Sequence, residues 1–186
     1  MRVILIIVSL FIALGSSAQT KMSQVLKLMP EHIVPYLSEN NKLDMIDFMD
    51  SNMKAEVRNQ LEGKTELTQL TDDFASLTLN EASKMDMRLL TVSEPVDSAS
   101  QIICMVSTFG SDGHESKIDF LSLKWRKLDA AKYIQYPTQM FTALLDSQQP
   151  QMVLTISNFV DRPANEEQKE TGKMSFSLNW DGVRFK

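Results

Sequence analysis

The chain has 186 residues, and its 24 Asp plus Glu against 19 Lys plus Arg give a formal net charge of −5, a balance that argues against nucleic acid or an anionic membrane surface as partner. Its single cysteine, Cys104, sits inside the apolar run QIICMVSTF, so no disulfide can form within the chain and the fold must hold by packing. Only two histidines, His32 and His114, are available for imidazole chemistry, which narrows nucleophilic and metal-based schemes at the outset.

In chain order, Met1-Arg2 is followed by an apolar run from Val3 to Leu14 and then by Gly15, Ser16, Ser17 and Ala18. A basic start, a short apolar stretch and small residues at Ser16 and Ala18 predict a secretory signal peptide over 1–18, cleaved before Gln19. No cysteine stands near the cleavage point, which argues against a lipid anchor. The expectation is an exported protein, periplasmic or associated with the cell envelope, with no transmembrane segment once the leader is removed. Residues 19–186, with a net charge of −6, are then enough for one domain with a sizeable core.

The stretch from Met22 to Lys64 reads as helical, divided by Pro30 and Pro35 because each removes an amide donor and disfavours helix in the residue before it. Its long piece is predicted to start near Asn41, with Leu43, Ile46, Met49, Met53, Val57 and Leu61 at helical spacing, and to stop at Gly63. Asp44, Asp47 and Asp50 form a stripe read as a solvated face rather than a cation site. Beyond Gly63 the period falls to two. Strands are predicted near 66–71, 74–79, 85–92, 101–109, 116–126, 152–159 and 173–180.

In QIICMVSTF both alternating sets are apolar, so that strand is covered on two faces. The run PTQMFTALLDSQQP places Met140, Phe141, Leu144 and Leu145 at helical spacing between prolines and predicts a second helix. The charged run DRPANEEQKETG predicts an exposed hairpin loop, and Asp181-Gly182 a tight turn that tucks Phe185 against the sheet. The fold class is therefore α+β, with N-terminal helices packed on a largely antiparallel twisted sheet of about six to seven strands.

The two tryptophans close two similar runs, FLSLKW at 120–125 and FSLNWDG at 176–182. In the second, Met174, Phe176, Leu178 and Trp180 alternate with polar residues; in the first, Leu121, Leu123 and Trp125 take the matching positions. Trp125, Trp180, Leu123, Leu178 and Phe176 are accordingly read as structural residues of an inward row rather than as a repeated working site.

Chemistry is sparse. Ser111-Asp112-Gly113-His114-Glu115-Ser116 brings a hydroxyl, two carboxylates and an imidazole together, which makes Asp112, His114 and Glu115 the candidate binding residues, but neighbours on one loop are seldom held in catalytic geometry. Met45, Met49 and Met53 repeat every four residues and Met85 and Met87 flank one strand position. Soft-metal binding would use such sulfurs, yet the same spacing is what core packing needs, and no metal ligand set is predicted. No phosphate loop, paired CxxC, HExxH or GxSxG is present, so no catalytic residue and no cofactor is predicted.

Three long stretches carry a resemblance: 29–90, MPEHIVPYLSENNKLDMIDFMDSNMKAEVRNQLEGKTELTQLTDDFASLTLNEASKMDMRLL; 93–125, SEPVDSASQIICMVSTFGSDGHESKIDFLSLKW; and 176–185, FSLNWDGVRF. The chain resembles the Bacteroidales domain-of-unknown-function family 3256. That resemblance implies an exported protein of a Gram-negative gut or oral bacterium and brings no activity, ligand or catalytic residue. The leading functional expectation is a non-catalytic interaction module of the envelope, whose partner is an envelope protein, a glycan or an apolar ligand. The alternatives are a periplasmic carrier of a lipid or other apolar ligand, motivated by two-faced apolarity at 101–109 and 116–125, and a hydrolase of unrecognised type centred on His114.

Overall fold

The computed structural model describes residues 19–110, 115–157 and 173–186. The expected signal peptide, the Ser111 to His114 part of the serine-and-acid loop and the charged loop at 161–172 lie outside the described residues.

Two short helices come first, α1 (Met22–Lys27) and α2 (Glu39–Asp50). Ser38 caps α2 by accepting from the Asn41 amide, while Asn41 returns its carboxamide oxygen to the Ser38 amide, so the helix begins earlier than the predicted start at Asn41. It also ends earlier. Asn52 takes a positive φ of 55°, and Met53 donates its amide to the Phe48 carbonyl at 2.8 Å, which closes the last turn.

Residues 56–63, predicted as helix, instead enter a hairpin of β1 (Glu56–Arg58) and β2 (Lys64–Leu70). Asn59 decides this locally: its side-chain oxygen accepts from the Leu61 and Gly63 amides at 3.0 and 3.1 Å, a turn that outcompetes the helical spacing of Val57 and Leu61. Val57 is then buried while Leu61 faces water.

Four more strands follow: β3 (Phe74–Asn80), β4 (Ser83–Val96), β5 (Ala99–Phe109) and β6 (Glu115–Ser122). With β1 and β2 they form a six-stranded antiparallel sheet in simple sequence order. Beyond it, β7 (Phe141–Leu145), β8 (Gln151–Ser157) and β9 (Lys173–Asn179) form a separate three-stranded antiparallel sheet, here called the small sheet. The protein is thus a sheet-dominated α+β structure, with nine strands among the described residues in two sheets rather than six to seven in one. No helix among the described residues is long and apolar enough to cross a membrane.

The predicted helix at 138–149 is the strand β7. Phe141, Ala143 and Leu145 pair with Ile156, Leu154 and Met152, and Ala143 and Leu145 are buried while Leu144 is exposed. Five residues at period two satisfy both sheet pairing and burial. A helix of that length between prolines would satisfy neither.

The large sheet is apolar on both faces. On one, Met22, Val25 and Leu26 of α1 and Met45 and Ile46 of α2 share a buried cluster with Leu67, Leu77, Met85, Met87, Ile103 and Met105. On the other, Phe74, Leu90, Ile102, Cys104 and Phe120 share a cluster with Ala143, Leu145, Met152 and Leu154 of the small sheet. Burial pushes the Cys104 thiol far above its ordinary range, so it is an inert packing group.

Arg88 places a charge inside this second interface. Arg88 of β4 is 1% exposed, donates Nη2 to Asp73 Oδ2 at 2.7 Å and Nη1 to the Asp146 carbonyl at 2.5 Å, at the end of β7. It therefore ties the two sheets together, and it has no water to fall back on. Asp73, at 41% side-chain exposure, does. The asymmetry sets an expectation for equilibrium urea unfolding. Asp73→Ala strands a buried cation and should cost about 3 kcal/mol, whereas Arg88→Met, which keeps the stem and lets Asp73 hydrate, should cost under about 2 kcal/mol. The reverse order would show that the guanidinium is already hydrated.

Candidate functional site

The serine-and-acid loop is only partly visible. Glu115 opens β6 and is exposed, and Asp112 and His114 fall outside the described residues. Ser116 is buried and committed to structure: its Oγ lies 2.9 Å from Thr108 Oγ1 and accepts from the Ala143 amide at 2.9 Å. His32 lies exposed in the turn before α2. Met45, Met85 and Met87 are core, and Met53 faces water. Asp44, Asp47 and Asp50 are exposed, and among the described residues no three His, Cys, Asp or Glu side chains assemble as a cation site.

The two tryptophan runs diverge. β6 ends at Ser122, and Trp125 follows in a turn with φ 61°, its amide donating to the Ser122 carbonyl at 2.8 Å. Trp125 is buried with Leu121 in the helix-side cluster, against which Leu123 packs partly buried. Trp180 follows β9 on the opposite side of the large sheet, half-buried against Tyr133 and Phe185, with Nε1 donating to the Thr91 carbonyl at 2.7 Å. The same letters thus support different cores.

The predicted inward row of β9 is only half covered. Met152, Leu154 and Ile156 of β8 pair with Leu178, Phe176 and Met174 of β9 and share their face. Leu178 packs against the inter-sheet cluster, but Phe176 is 42% and Met174 53% exposed. The inter-sheet core covers β7 and β8 and, on β9, reaches only Leu178.

The uncovered half forms a groove of about 780 Å³. One wall is Leu154, Ile156, Phe176 and Leu178; the other is the segment 135–139, with Arg184, Phe185 and Lys186 closing one end. The Tyr136 hydroxyl donates to the Ile118 carbonyl at 2.9 Å, which fixes the opposite wall to β6. Burial first, and then the carboxylate of Asp119, push that hydroxyl up to about 12, so it stays neutral. The tail is held by its turn. Gly182, at φ 94°, gives its carbonyl to the Ser93 amide at 2.8 Å, and a Cβ there would meet Ser93 Oγ at 2.9 Å. Asp181 lies below the ordinary carboxylate range because of the Lys186 ammonium first and the Arg184 and Val183 amides next.

A second cleft, of about 660 Å³, gathers Glu56, Glu62, Glu66 and Glu81 around Lys64. Three of its carboxylates already meet cations: Glu56 contacts Lys54 and Lys64 at 2.7 and 2.8 Å, Glu66 contacts Lys54 at 3.6 Å, and Glu62 contacts Arg58 at 3.3 Å. It is a solvated ion-pair network. The groove, by contrast, combines apolar walls with a few polar groups at its ends, the ordinary composition of a ligand site. Sequence alternation marked Phe176 and Leu178 but carried no sign of what covers them.

The family model described as a protein of unknown function (DUF3256) matches residues 13–170. Among solved structures, a domain of an uncharacterised protein from Porphyromonas gingivalis W83 is similar at 15% identity and a TM-score of 0.67, covering 90% of this chain and 98% of that one. At that identity the likeness concerns the fold alone. No curated protein matches the chain.

The contrast between the tryptophans is measurable by urea unfolding followed by circular dichroism. Trp125→Ala, at 7% exposure, should cost about 3 to 5 kcal/mol, and the half-buried Trp180→Ala about 2 kcal/mol. Two variants that unfold at the wild-type midpoint would return these runs to the list of recognition sites.

Proposed function

The chain belongs to the DUF3256 family of proteins of unknown function, and from that footing we propose that it is a non-catalytic binding module of the cell envelope that takes an apolar or amphipathic group into the groove beneath β8 and β9. The observation that carries this reading is the overhang of the small sheet. Phe176 and Met174 occupy inward positions by register yet are left uncovered, and Phe176 lines with Ile156 an open volume of about 780 Å³. Exposed apolar surface costs solvation free energy, and a folded protein that keeps it organised against a rigid support offers it to something. The leader-like residues 1–18 support placement in the envelope, and the absence of catalytic motifs from the sequence supports binding rather than turnover.

Carriage of an apolar ligand is the second reading, because the groove falls within the roughly 300–1,000 Å³ typical of small-molecule sites. The two-faced apolarity of β5 and β6 no longer argues for it, since both faces are spent on the two buried clusters. The groove is also open to solvent along β9, which suits a partner's side chains better than a wholly enclosed acyl chain.

Phe176→Asp places a charge in the groove wall without touching either buried cluster. Binding of the apolar dye 1-anilinonaphthalene-8-sulfonate to the folded protein should fall at least fivefold, with the urea midpoint unchanged. Equal dye binding by variant and wild type would remove the groove from consideration. Native mass spectrometry of protein purified from envelopes separates the two readings, as a carrier retains a small apolar species and an interaction module does not.

A further inference from the structure

Among the described residues four strands lie at sheet edges, and three of them are closed. β1 is three residues long, with its Arg58 carbonyl taken by Asn41 Nδ2 at 3.2 Å. The edge of β6 is covered by the returning segment 126–128, which bonds to Phe120 and Ser122, and by the Tyr136 hydroxyl on Ile118. β7 lies against β6, its Ala143 amide satisfied by Ser116. The fourth, β9, is different. Asn179 exchanges both backbone hydrogen bonds with Lys186, at 2.8 and 3.1 Å, on the side away from β8. By the two-residue alternation of an unbroken strand, Ser177 and Ser175 aim their amides and carbonyls the same way. Among the described residues nothing pairs with them. Natural sheets normally close such edges, and here the same strand also presents the uncovered Phe176 and Met174.

We propose that the groove's occupant is an extended segment of a partner protein, which adds as a further strand to β9 along Ser177 and Ser175 and inserts alternate apolar side chains beside Phe176. This deepens the binding role proposed above and rests on it. The tail 183–186 shows that the edge accepts an antiparallel strand, since it already pairs there through Trp180 with Phe185 and Asn179 with Lys186. A strand continuing that line has its side chains at period two, one set over the groove and the other outward. Arg184 borders the groove's end beside Lys186, whose ammonium is paired with Asp181 at 2.6 Å, so the segment carries an acidic residue facing Arg184 there. A lipid would fill the apolar wall but leave the outward amides of β9 unused, and for this reason a polypeptide is the better fit.

Ser177→Pro tests the inference, because it removes one outward amide while leaving the β8 ladder and the apolar wall in place. Ser177→Ala is the control. A random octapeptide display library is selected against the purified protein, and bound peptides are measured by isothermal titration alongside the dye. Selected peptides should alternate apolar and polar residues with an acidic residue near one end. Their affinity should fall at least tenfold in Ser177→Pro and stay unchanged in Ser177→Ala, with dye binding and urea midpoint equal throughout. Dye binding without such peptides, or peptides indifferent to Ser177→Pro, would overturn strand addition and leave the groove reading standing. Loss of dye binding in the wild type would overturn both. A wild-type dimer that Ser177→Pro dissociates would assign the edge to a second copy of the chain and overturn the partner peptide. A changed midpoint in Ser177→Pro would place its amide in the fold and overturn the outward register.

Discussion

Met85–Leu90 of β4 and Gln101–Val106 of β5 are each six buried residues in succession, so these paired strands have no side on which to meet water and the chain must supply two separate covers. The helix-side cluster is one and the small sheet is the other. A strand buried on both faces gains about 25 cal/mol for each Å² of apolar surface removed, but only if both covers stay docked. The rest of the architecture follows from that demand. Buried residues of α1 and α2 share the cluster on one face, and the chain returns after β6 for a second, three-stranded layer.

The second cover is positioned by polar contacts as much as by packing. Arg88 reaches through the interface to Asp146, Trp180 donates to the Thr91 carbonyl of β4, Gly182 accepts from the Ser93 amide of β4, and Ser116 holds Ala143. Each of these fixes β7 or the chain after β9. None holds the middle of β9. The inward row of β9 therefore projects past the surface it would otherwise cover, and the overhang leaves the groove on which the proposed binding role rests.

Much of the large sheet was legible because period-two alternation is a local signal. QIICMVSTF announced a doubly covered strand, and the turn at Asp181-Gly182 announced the return of Phe185, which is 2% exposed. The misreadings occurred where one spacing served two structures. Met140, Phe141, Leu144 and Leu145 fit a helix as well as a strand, and the pairing with β8 that decides between them is not local. Val57 and Leu61 kept helical spacing through a segment that the Asn59 side chain turns into a hairpin. The candidate site was half legible. Alternation named Phe176 and Leu178 as inward, yet coverage depends on how far a distant strand extends, and no residue in β9 encodes that. The two tryptophan runs carry the same caution, since Ser-Leu-x-Trp continues as strand in one place and turns in the other.

The central claim is that a closed inter-sheet core and an open groove lie on the same face of the small sheet, and thiol reactivity reads both at once. Cys104 is the chain's only thiol and lies in the closed part. In Phe176→Cys the folded protein should take up one iodoacetamide per chain, rapidly and at position 176, while Cys104 stays unmodified until urea unfolds the protein. A cysteine at 176 as unreactive as Cys104 would show that β9 is covered and would contradict the account.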